Sequence, residues 1–74
     1  MKKLVVLKEG RWLLDLTEVT SVIMNADCHH ISVTFKNSVD TDQYYKYSSD
    51  CEKDFKLIVD ELISLSKVRK HYDL

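Results

Sequence analysis

Cys28-His29-His30 is the densest group of metal-competent and nucleophilic side chains in the chain. Neighbouring residues on a strand or turn point in different directions, so at most two of the three can grip one ion. A structural zinc site wants four ligands, and Cys51 or His71 would have to be brought across the fold to complete it. Neither CxxC nor HxxxH spacing is present, and a polar turn carrying a small half-buried thiol accounts for the cluster more simply. A Cys–His nucleophile fares worse, because the base in such sites is brought close by the fold rather than by adjacency in sequence. Cys51 falls in the first turn of an expected helix, where the dipole would lower its pKa and make it reactive. Its place on the apolar stripe argues instead for a packed thiol. Asp40 and Asp42 share one face of an expected strand, with Asp27 elsewhere, and carboxylates beside turns are usually solvated. Gly-rich phosphate loops, GxSxG and HExxH do not occur. The expectation is a protein that is not an enzyme and holds neither cofactor nor metal.

The aromatic residues suggest contact rather than catalysis. Trp12, His30, Tyr44, Tyr45 and Tyr47 are of the types enriched at protein interfaces, and they form the expected interface set. Strand tyrosines also stack single-stranded bases in RNA-binding sheets. Lys46, with Lys67, Arg69 and Lys70 at the C-terminal end, would supply phosphate contacts in that case. Eleven Lys plus Arg stand against twelve Asp plus Glu, a net charge of −1, which disfavours the nucleic-acid reading. The basic end has a plainer role in complementing the carbonyl pole of a helix.

Hydrophobic period defines the elements that must position these residues. Leu4 to Leu7 reads as a strand, and Lys8-Glu9-Gly10-Arg11 as a tight turn with Gly10 at positive φ. Residues 12–16 return as a strand with Trp12, Leu14 and Leu16 on one face. Residues 19–25 are rich in β-branched side chains. Residues 30–35 alternate, with Ile31, Val33 and Phe35 facing one way. Residues 41–47 form the fifth strand, with Tyr45 and Tyr47 on one face and Tyr44 and Lys46 on the other. Consecutive strands with short links imply an antiparallel meander. Ser49-Asp50-Cys51-Glu52 fits a capping box at the start of an amphipathic helix over about residues 50–68. Residues 71–74 are expected to fray. The fold class is α+β: a four- or five-stranded antiparallel meander with one C-terminal helix packed on one face, in a single domain.

Length limits what such a chain can bury. At 74 residues only about 60% of the unfolded surface is removed from water, so the core is small. The hydrophobic share of 45% is that of a globular protein. The apolar run Leu4 to Leu7 is too short for a secretory signal, and no stretch approaches a membrane span. Two cysteines make no disulfide framework. These features predict a cytoplasmic protein with reduced thiols. One helix covers one sheet face, yet strands 4–7, 12–16 and 19–25 carry apolar residues on both faces. Burying each large side chain contributes about 1.5–3 kcal/mol, so the second face calls for a cover, and a symmetric homodimer supplies one. The functional expectation is a small adaptor, inhibitor or regulatory subunit that binds another protein, as a homodimer. The alternatives are nucleic-acid binding through the residues above, and sequestration of a small ligand at a subunit interface.

Overall fold

The computed structural model describes residues 2–73, with side chains described for residues 2–66. Five strands precede one helix: β1 (Leu4–Leu7), β2 (Trp12–Asp15), β3 (Val19–Met24), β4 (His30–Phe35), β5 (Asp40–Tyr44) and α1 (Ser48–Asp73). All strand pairings are antiparallel. The chain is an α+β protein with its helix at the C-terminal end, as the hydrophobic pattern predicts. Among the described residues no helix is long and apolar enough to cross a membrane.

The strands fall into two sheets, a β1–β2 hairpin and a β3–β4–β5 meander. The break has a local cause. Asp15 ends β2 by capping a single helical turn, Leu16–Glu18. Its Oδ1 accepts from the Thr17 amide at 3.1 Å and the Thr17 hydroxyl at 2.7 Å. The hydroxyl bond is the main reason that its carboxyl sits below its ordinary pKa. Leu16, expected as the last strand residue, is thereby moved into the turn, and it remains buried there.

The hairpin turn departs further from the expected tight turn with one glycine at positive φ. Lys8, Glu9 and Gly10 adopt φ values of 51°, 57° and 91° in succession. Two of the three carry a Cβ that disfavours this region, so contacts from elsewhere must hold them.

Side chains from both sheets and the helix form one core. Val5, Leu7, Trp12, Leu14 and Leu16 come from the hairpin and its exit. Ile31 and Val33 come from β4, Tyr45 from the segment after β5, and Cys51 and Ile58 from α1. An irregularity in β3 between Val19 and Ser21 shifts the alternation, so that Val19, Val22 and Met24 all pack against this core. Ser21, His30, Ser32, Thr34, Asp40 and Asp42 belong to the opposite face, where Ile23 and Tyr44, 63% and 68% exposed, are the large apolar members. That face is therefore a polar, solvated one. The expected second apolar face narrows to the hairpin, where Leu4, Val6 and Leu13 are 51%, 62% and 62% exposed.

Two boundaries also differ at the helix. β5 stops at Tyr44, not residue 47, and α1 starts at Ser48. Ser49 thus lies inside the first turn, and the expected capping box is not formed among the described residues. Instead the Cys51 amide donates to the Tyr47 carbonyl at 3.2 Å. The backbone of α1 is helical to Asp73, past the expected end near residue 68, and Leu74 lies outside the described residues.

Two aliphatic truncations separate core from surface. Ile58→Ala should lose about 2–4 kcal/mol of stability, because Ile58 is fully buried. Ile23→Ala should change it by less than about 0.5 kcal/mol. Urea unfolding followed by circular dichroism measures both, and equal losses would contradict the described core.

Candidate functional site

The residues proposed from sequence as an interface set do not stay together. Trp12 is 7% exposed and Tyr45 9%, so both are used in the core. Tyr45 keeps the inward alternation of Thr41 and Gln43 one step past the end of β5, whereas Tyr47 departs from it, so the two do not share a face. The Tyr45 amide donates to the His29 carbonyl at 2.8 Å, which extends the β4–β5 register by one pair. Tyr44 and Tyr47 remain 68% and 58% exposed. His30 lies opposite Tyr44 in the β4–β5 register, and the two rings stack at 4.4 Å with 6° between their planes. His30 Nε2 also meets Asp42 Oδ1 at 3.0 Å. Lys46 Nζ stands 5.5 Å from the centre of the Tyr47 ring. The side chains of Lys67, Arg69 and Lys70 lie outside the described residues.

An open groove of about 640 Å³ runs between the hairpin turn, residues 44–47 and the first turns of α1. Its walls include Val6, Tyr44, Tyr47 and Leu57, all exposed to some degree. Lys8, Arg11, Lys46 and Lys53 bring positive charge, and Glu9, Asp50 and Asp54 negative charge. Such a surface suits a partner with both apolar and mixed polar groups, not a strongly charged one.

Asp54 joins the groove's three walls. Its Oδ2 accepts from the Lys8 amide at 2.9 Å and from the Tyr45 hydroxyl at 2.8 Å. Lys8 is held from its other end as well. Its ammonium donates to Gln43 Oε1 at 3.2 Å and the Tyr44 carbonyl at 2.9 Å, and lies 5.0 Å from the Tyr45 ring centre. By its place in the sequence Asp54 is one more acid in the first turns of the helix, and Lys8 a turn residue. No local spacing marks a contact between residues 46 apart.

The expected chemical cluster disperses. His29 Nδ1 lies 3.1 Å from the Tyr45 carbonyl, His30 turns to Asp42, and the Cys28 thiol contacts the Ala26 carbonyl at 3.9 Å. Among the described residues no three His, Cys, Asp or Glu side chains converge to hold a metal ion. Cys51 is wholly buried, and burial pushes its thiol pKa up, with Cys28 and Asp27 adding to the effect. The dipole-lowered, reactive Cys51 considered from sequence is thus overturned by desolvation. Burial, followed by the nearby Glu52, also pushes up the Cys28 thiol.

Comparison with protein-family models, with curated proteins and with solved structures returns no match to this chain.

Burial, then the Asp54 carboxylate, raises the Tyr45 phenol well above its ordinary value of 10. The folded protein therefore keeps this proton when the unfolded chain has lost it. Tyr45 contributes stability that is fully present below about pH 10 and is lost as pH rises beyond it. Tyr45→Phe should cost about 1–2 kcal/mol at neutral pH through loss of the hydroxyl bond to Asp54. It should also flatten the fall in stability at alkaline pH. Urea midpoints for both proteins from pH 7 to about pH 11 would test this, and parallel curves would contradict it.

Proposed function

We propose that this chain is a non-enzymatic binding protein that works through protein–protein contacts, as a homodimer, with the groove receiving another protein. One observation carries the reading. Val6, Tyr44, Tyr47 and Leu57 keep 62%, 68%, 58% and 39% of their surface exposed around an open groove. A chain with so little to bury gains from hiding such side chains, and here the fold leaves them out. Exposed aromatic and aliphatic groups clustered in one concavity are the usual anchors of partner recognition.

The contact set shifts accordingly. Tyr44 and Tyr47 remain, His30 supports Tyr44 by stacking, and Val6 and Leu57 join them. Trp12 and Tyr45 act behind the surface. A ligand-sequestering role would use the same groove within one chain instead of a subunit interface. The nucleic-acid alternative draws on Lys46 beside Tyr47, but acidic side chains share that groove.

The test uses the full chain immobilised against lysate from its source organism. The paired variant Tyr44→Ser/Tyr47→Ser should lose a protein retained by the unaltered chain, with unchanged circular dichroism. A set of captured proteins indifferent to both substitutions would sink the proposal. In a parallel titration with single-stranded RNA, binding that weakens steeply as salt rises would favour the alternative instead.

A further inference from the structure

The exposed side of the hairpin matches a second copy of itself. We infer that two chains join through the free edge of β2, antiparallel about a two-fold axis at Leu13, so that the two hairpins form one four-stranded sheet. This rests on the homodimer reading above and specifies its geometry.

Backbone direction provides the first support. The Leu16 amide donates to the Lys3 carbonyl at 2.8 Å, and the β1–β2 register continues as Val5 with Leu14 and Leu7 with Trp12. In an antiparallel pair, bonded and non-bonded positions alternate. Leu14 and Trp12 therefore bond to β1, while Leu13 and Asp15 turn their N–H and C=O groups away from it. Among the described residues β2 pairs with no strand on that side. Such an edge is a template for another strand, and β2 carries neither proline nor lysine to blunt it.

Charge provides the second. Antiparallel pairing about Leu13 sets Leu13 against the partner's Leu13. It also sets Arg11, immediately before β2, against the partner's Asp15, and the two-fold axis repeats this pair. Arg11 is exposed. Asp15 spends Oδ1 on Thr17 and the Lys3 amide, which leaves Oδ2 for the guanidinium. Trp12 falls beside the partner's Leu14 on the inner face, so the two cores adjoin. β1 lacks this complementarity. Its flanks are Lys2, Lys3 and Lys8, and two of them are already tied to α1, Lys3 through Glu61 at 3.0 Å and Lys8 through Asp54. An antiparallel β1 pair would bring like charges together.

Substitution at the axis gives the sharpest test, because Leu13 is 62% exposed and tolerates a charge without loss of the fold. In sedimentation at micromolar concentration the unaltered chain should be a dimer. Leu13→Lys and Leu13→Glu should each be monomers, and their equimolar mixture should recover the dimer as a heterodimer. Leu4→Lys, on the same face but on the far strand, should remain dimeric. A dimer that survives both Leu13 substitutions overturns the β2-edge geometry and leaves the homodimer reading standing. Equal disruption by Leu4→Lys and Leu13→Lys also overturns it, in favour of face-to-face packing. A monomeric unaltered chain overturns both readings.

Discussion

A single carboxylate oxygen, Oδ2 of Asp54, is where the hairpin, the meander and the helix meet. It accepts the Lys8 amide from one sheet's turn and the Tyr45 hydroxyl from the segment leaving the other. Neither sheet has enough strands to be stable alone, since a two-stranded hairpin is marginal in water and three strands need a covered face. Each gains its cover from the other and from α1, and the Asp54 contact fixes how they meet. The groove is a by-product of that joint. Its floor is the clasp, and its rim is what the clasp leaves in solvent.

The division into two sheets follows from the same economy of material. A continuous five-stranded sheet would present one large face to one helix and another to water. Turning the chain at Leu16–Glu18 lets the hairpin's inner side chains, Val5, Leu7, Trp12 and Leu14, close over Ile31, Val33 and Ile58. Most large apolar residues then find the interior. The outer side of the hairpin remains apolar because its strands are inserted between core and solvent with no further layer to hide them.

Elements were legible in the sequence where period alone decides them. Strands β1 and β4 have the predicted limits, the inward side of β2 is Trp12 and Leu14, and the apolar stripe of the helix supplies Cys51 and Ile58 to the core. Features that depend on distant partners were not legible. The hydroxyl partner of Tyr45 comes from Asp54 in α1, and the exposure of Tyr47 follows from the end of β5 at Tyr44. Asp15 resembles any strand-end carboxylate until its cap to Thr17 is seen. For the site, Tyr44 and Tyr47 belong to the expected contact set, whereas Val6 and Leu57 carry no sequence signal that marks them as part of it. Their exposure follows from which face the hairpin and helix turn inward, which no local pattern records.

The left-handed run from Lys8 to Gly10 bears on how the whole molecule comes apart. Non-glycine residues in this region cost about 1–2 kcal/mol each, and Lys8 and Glu9 both occupy it. Lys8 is kept there by its amide bond to Asp54 and its ammonium bonds to Gln43 and Tyr44. Those partners lie in α1 and at the end of the meander, so the hairpin has no autonomous reason to keep its shape. Once α1 undocks, the turn loses its restraint and relaxes. Cooperativity here is written into a backbone conformation: a fragment ending before α1 is not a smaller domain but an unsupported chain.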